Sequence, residues 1–154
     1  MYCLKEELPI ESAAEKLWQL CENAYEHGSP WSLEQFSVDL QQEVTDYLVK
    51  IEEDEWQGFI SYQQILDEVD ISHIVVQKKL QGMGVGSQLL DQAIQLFKEQ
   101  GIKTVFLEVR ASNYSAQQLY LKKKFETLSR RKKYYTRPVE DGIVMCLKIK
   151  EVEQ

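Results

Sequence analysis

The chain has 154 residues, 44% of them hydrophobic, and a formal charge of −7 at pH 7. That length suits one domain with a single core, and the acidic balance argues against general affinity for nucleic acid while suiting a cationic substrate or partner. Residues 1–7 lack the apolar centre of a signal peptide and no apolar run could cross a bilayer, so a cytoplasmic protein with no membrane partner is expected. Cys3, Cys21 and Cys146, with His27 and His73, show no metal-ligand or redox spacing. The cysteines therefore read as small packing residues, and no metal is expected.

Periodicity organises the first half into helices and then strands. Ala13, Ala14, Leu17, Trp18, Cys21, Ala24 and Tyr25 recur at helical spacing as one buried stripe ending near Gly28. A second helix starts after Pro30. Ser32 and Gln35 form a capping box, and Trp31 and Phe36 stand where a hydrophobic staple would close it. Residues 47–51, 56–62 and 69–76 read as strands separated by acidic turns, an antiparallel meander.

Gln81-Gly82-Met83-Gly84-Val85-Gly86 then opens directly into a helix beginning Ser87-Gln88-Leu89-Leu90 and stopped by Gly101. Little side-chain cover in front of unpaired helical N–H groups makes a phosphate cradle. A Walker-type loop would need Lys-Ser or Lys-Thr after its last glycine, whereas Ser87-Gln88 follows. The dinucleotide fingerprint fails on its third small residue and on its mid-chain position. In the strand 104–110, Val105, Leu107 and Val109 face one way and Phe106, Glu108 and Arg110 the other. The order strand, loop, helix, strand over 69–110 predicts a right-handed crossover and one parallel pair in an otherwise antiparallel sheet. A helix over 114–123 with Asn113 as N-cap follows, and then Phe125 and the alternation Ile143, Met145, Leu147, Ile149 close the chain with two strands. The basic run Arg130-Arg131-Lys132-Lys133 reads first as a solvated hairpin face, with an anionic cofactor or ribosomal RNA as lesser alternatives.

In their order, these motifs resemble the GNAT N-acetyltransferases. Gln81-x-x-Gly84-x-Gly86 looks like that family's acetyl-CoA pyrophosphate loop. Leu107-Glu108-Val109-Arg110-Ala111-Ser112-Asn113, then Ala116, Leu119-Tyr120, Phe125, Arg131, Tyr134-Tyr135 and 140–145 resemble the bacterial ribosomal-protein-alanine N-acetyltransferases of RimI type, as does Pro30-Trp31-Ser32 with Phe36. The resemblance implies an α/β (α+β) fold in one domain over 1–154: a mixed, mostly antiparallel sheet, a parallel strand pair splayed around acetyl-CoA, and helices on both faces. It also implies that residues 81–87, including Met83, Val85 and Ser87, hold the diphosphate, that Ile74, Val75 and Val76 pair with the pantetheine arm, and that Asn113 and Tyr120 touch the cofactor. Lys124 stands where the family usually has glycine, so it must either adopt a left-handed conformation or shift the helix end.

Acetyl transfer from a thioester to an amine requires the amine neutral, and a carboxylate can remove its proton. Glu108 is the candidate base, by partial burial beside Phe106; the alternative is an ion pair with Arg110 or another cation. Tyr120 is the candidate acid for the departing thiolate, the alternative being a core tyrosine. No acyl-enzyme is required, so Cys146 reads as packing. The resemblance implies as acceptor the N-terminal alanine amine of a small-subunit ribosomal protein, met by Trp31, Glu108, Tyr134 and Tyr135, with Glu34, Glu140 and Asp141 as further acidic candidates. Direct nucleic-acid contact is not expected, and a monomer or weak dimer is. The rivals are a GNAT enzyme for small amines such as polyamines or aminoglycosides, and a CoA-binding module without catalysis.

Overall fold

A computed structural model describes residues 1–136 and 138–150. The strands β1 (Tyr2–Leu4), β2 (Thr45–Glu52), β3 (Glu55–Ile65), β4 (Glu68–Val76), β5 (Thr104–Arg110), β6 (Glu126–Thr136) and β7 (Val139–Lys148) form one sheet in the order β1-β2-β3-β4-β5-β7-β6. Only β4 and β5 run parallel, as the crossover through α3 (Val85–Glu99) requires; every other neighbour is antiparallel.

Helices cover both faces. On one, α3 and α4 (Tyr114–Lys122) bury Leu89, Leu90, Ala93, Phe97 and Tyr120 against Ile60, Val69, Val105, Leu107 and Met145. On the other, α1 (Ala13–Ala24) and α2 (Leu33–Asp39) bury Leu17, Cys21 and Phe36 against Tyr47, Val49, Phe59 and Val75. The entrance to α2 forms as its sequence dictates: Ser32 Oγ accepts from the Gln35 N–H at 3.1 Å, Gln35 Oε1 accepts from the Ser32 N–H at 2.8 Å, and the Trp31 and Phe36 rings meet at 5.3 Å.

Two irregularities in β4 shape everything functional. First, the β3–β4 register slips so that Ser61 faces His73 while Tyr62 faces Ile71, which leaves Ser72 as the extra residue of a bulge. Val69 and Ile71 pack under α3 before the bulge, whereas His73 and Val75 turn to the α1/α2 side after it. Second, β4 pairs with β5 only from Glu68 to Asp70, and beyond that the strands part. The rest of β5 pairs with β7, so Ile71–Val76 and Leu107–Arg110 diverge around a wedge-shaped window through the sheet.

Several expectations need correction. The short β1, which has no periodic signal in the sequence, pairs with β2 and is held further by the Ile51 N–H donating to the Met1 carbonyl at 2.9 Å. Trp18 is only partly buried and Tyr25 is exposed just past the end of α1, so the stripe runs instead through Ala13, Leu17, Leu20 and Cys21. Ile149 lies beyond the last strand, donating its N–H to Lys103. Lys124 takes the left-handed conformation, φ 77°, and the Phe125 N–H closes the helix end on the Tyr120 carbonyl at 3.0 Å. A Cβ in that region costs about 1–2 kcal/mol relative to glycine. Lys124→Gly is therefore expected to raise stability by about 1 kcal/mol, read as a higher urea midpoint at unchanged slope; an unchanged or lower midpoint would show that the lysine is not strained.

Candidate active site

The window separates two differently furnished sides. On the α1/α2 side, β5 presents Phe106, Glu108 and Arg110 with alternating burial, and the β6–β7 hairpin brings Arg131, Tyr134 and Tyr135 over them. Glu108 Oε1 accepts from Arg131 at 2.8 Å, so the cation it meets is Arg131 and not Arg110. Arg131 lies 4.3 Å from the centre of the Tyr134 ring, and a hydrogen bond to Glu108 is the leading cause that raises the Tyr134 phenol above its ordinary value. Arg110 stacks 4.3 Å over Tyr135 and bonds to Glu140 at 3.1 Å and the Pro138 carbonyl at 3.0 Å. The two tyrosine rings stand edge to face at 5.0 Å. Trp31 reaches the same side, edge-on to His73 at 4.6 Å, and borders an open groove of about 530 Å³ along α2.

Glu140 and Asp141 do not form a free acidic rim. Glu140 accepts from Arg110 and the Ser112 N–H, Asp141 from Arg130 and the Lys133 N–H, and these bonds hold both carboxyls below their usual range. The basic run divides accordingly: Arg130 and Lys133 tie the hairpin together, while Arg131 turns to Glu108. Glu34 is exposed on the first turn of α2 and lines the groove.

The α3/α4 side is the glycine loop's. Gly82 and Gly84 adopt φ 81° and 89°, and a Cβ built on either would meet no atom within 4 Å. Gly84 is the N-cap of α3 without a capping side chain, so the N–H groups of Val85, Gly86 and Ser87 open toward that space. The Val85 side chain is buried and can offer only its N–H, while Met83 is exposed. The Gln81 amide turns away from the loop and braces it, donating to the Val76 carbonyl at 3.1 Å and weakly to Ala24. The Val76 carbonyl thus faces the window. The Val75 carbonyl faces β3, where a Cβ on Gly58 would come within 2.6 Å of it. By strand alternation, Ile74 and Val76 turn their N–H and C=O groups into the window, while Val75 is committed to β3 and the core.

Asn113 caps α4, its Oδ1 accepting from the Ala116 N–H at 3.1 Å. Tyr120 is 8% exposed on α4, and burial, with Tyr135 nearby, pushes its phenol up to about 12. Tyr25, at the end of α1, senses Tyr120, Tyr135 and Arg110 and is raised chiefly by burial. Nothing in the spacing of Tyr25 distinguishes it from a packing residue of the α1 stripe.

Comparison with known proteins decides the family. The profile of the acetyltransferase (GNAT) family matches residues 10–125. The ribosomal protein bS18-alanine N-acetyltransferase of Haemophilus influenzae is 36% identical over 135 residues, covering 86% of this chain and 90% of that protein. Its counterpart from Escherichia coli K12 is 33% identical over 80% of this chain and 84% of that protein. The crystal structure of the Escherichia coli ribosomal-protein-S18-alanine N-acetyltransferase superposes with a TM-score of 0.86 at 29% identity, covering 100% of this chain and 97% of that one. This chain belongs to the GNAT acetyltransferase family.

GNAT enzymes take acetyl-CoA as donor, and the residues on the α3/α4 side fit it: positive-φ glycines with free space, unpaired helical N–H groups for a diphosphate, and a strand edge for the amides of pantetheine. Among the described residues no cluster of His, Cys, Asp or Glu could hold a metal ion, and all three cysteines are buried and free. No helix is long and apolar enough to cross a membrane. His73 is 6% exposed, shares a 2.8 Å hydrogen bond with Ser61 Oγ, and is pushed by burial down to about 4.

Two outcomes follow from this GNAT site. A branched side chain at Gly84 would enter the free space of the loop, so Gly84→Val is expected to weaken acetyl-CoA binding at least tenfold by calorimetry; an unchanged affinity would remove the loop from the donor site. His73 is neutral when folded down to about pH 4 but binds a proton below about 6.5 when unfolded, so stability is complete above pH 6.5 and lost as pH falls toward 4. The loss should be on the order of 3 kcal/mol, and denaturant titrations of His73→Gln should lack that part of the slope.

Proposed function

We propose that this GNAT enzyme acetylates the N-terminal alanine amine of a ribosomal protein, the bS18 type, by direct transfer with Glu108 as base and Tyr120 as acid. The observation that carries this reading is the window: Glu108 lies on the α1/α2 face and Tyr120 on the α3/α4 face of one opening in the sheet. A donor on the glycine-loop side and an acceptor on the hairpin side would meet only there. Bound acetyl-CoA supplies an activated acetyl thioester.

Glu108, held by Arg131 and Tyr134, receives the proton of the attacking amine, directly or through one water. A backbone N–H of Ile74 or Val76 donates to the oxygen on which charge develops, an oxyanion site without a side chain. Tyr120, whose high pKa keeps it protonated, gives its proton to the leaving sulfur. The direct route uses none of the buried cysteines. Support for a peptide over a small amine comes from the α1/α2 side, where the groove bordered by Trp31 and α2 is open and Tyr134 is 42% exposed. The relatives named for bS18-alanine acetylation support the ribosomal acceptor.

Glu108→Gln and Tyr120→Phe are each expected to lower kcat by about a hundredfold or more while binding acetyl-CoA within a few-fold of wild type. Wild-type rates in both variants would overturn the two roles. Intact-mass assays on alanine-initiated peptides against a panel of small amines should show peptide acetylation; acetylation of small amines alone would overturn the acceptor.

A further inference from the structure

The parallel pairing of β4 with β5 ends at Asp70 opposite Phe106, so Asp70 sits where the window opens, on the same face as Glu108 and two strand positions from it. Glu108 is neutralised by Arg131, Glu140 by Arg110 and Asp141 by Arg130. Asp70 differs from these: no ion pair or hydrogen bond reaches its carboxyl among the described residues, and the residue is solvent-accessible at the mouth of the window. Its register partner on β3 is Gln63, which lines the groove along α2. The groove wall carries the carboxylates Glu34 and Asp39 and no cationic side chain. An extended chain leaving Glu108 along this face therefore passes Asp70 first and the groove next.

We propose that Asp70 is a specificity residue that favours acceptor peptides with a basic side chain at the second position. The inference rests on the peptide-acceptor reading above. With the α-amine at Glu108, roughly two strand positions or about 7 Å separate the attacking nitrogen from Asp70, a span that an arginine or lysine at position two covers. Burial and the nearby charge of Glu108 raise the Asp70 carboxyl, as expected of an anion lacking a partner that an incoming cation would supply. Asp70 takes no part in the proton transfers; it positions the chain that brings the amine.

The test compares two otherwise identical hexapeptides beginning Ala-Arg and Ala-Gln, using full-length enzyme, wild type and the variants Asp70→Asn and Asp70→Lys. Wild type should favour the basic peptide by about five- to tenfold in kcat/KM, mostly through KM, with the preference shrinking at high salt. Asp70→Asn should bring the ratio near one and Asp70→Lys should invert it. The ratio is internal to each variant, so a general loss of activity cannot imitate the result. Acetylation of both peptides with an unchanged ratio in Asp70→Asn, or no preference in wild type, would overturn the role of Asp70 alone. Acetylation of neither peptide by wild type would overturn the peptide reading and this inference with it.

Discussion

The parting of β4 from β5 is the constraint on which the rest of the molecule depends. A sheet that opens in its middle leaves backbone N–H and C=O groups without partners, a costly arrangement unless something else satisfies them. Here three paired residues, Glu68 to Asp70, hold the strands together at one end, and the β5–β7 ladder of seven register pairs holds the far side. The bulge at Ser72 lets β4 turn away while keeping its pairing with β3. Gly58 lets β3 approach the outer part of β4 closely, since a Cβ there would collide with the Val75 carbonyl. The exposed strand edge is thus built into the fold, and a ligand bearing amides is the natural partner for it.

The same opening divides the sheet into two differently furnished faces. Strand alternation places Leu107 and Val109 under α3 and α4 but Glu108 and Arg110 toward the hairpin. Both charged residues of β5 are then gripped by the hairpin: Glu108 by Arg131 of β6, and Arg110 by Tyr135 of β6 together with Glu140 of β7. These contacts belong to one hairpin whose β6 strand slips in register between Arg131 and Tyr135, so that successive residues can reach the same face. The hairpin orients the carboxylate and at the same time walls the α1/α2 side of the window.

Much of this was legible in the sequence, and the gaps have a common cause. The capping box at Ser32, the glycine loop, the α4 cap at Asn113 and the face of Glu108 depend on residues within one turn or one strand of each other, so local spacing reveals them. The Glu108–Arg131 pair joins residues 23 apart through a hairpin whose register shift has no compositional mark. The Ser72 bulge is equally silent, because Ile71-Ser72-His73 reads as an ordinary alternation until the β3 register is known. Tyr25 continues the helical spacing of α1 although the helix ends one residue before it. Glu140 and Asp141 looked free for a substrate only because their partners on β5 and β6 are distant in the chain.

His73 shows how closely the two sides are joined. It is the first residue after the bulge, its imidazole sits among Trp31, Phe36 and Phe59, and its remaining polarity is met by Ser61. Trp31 and Phe36 are also the staple that sets the direction of α2, which forms one wall of the open groove. The helix that walls the groove and the strand β4 are therefore fastened to each other through one aromatic cluster. A neutral imidazole suits that position better than an aliphatic chain. It fills an aromatic site edge-on while its hydrogen bond to Ser61 ties β4 to β3 on the side of the bulge.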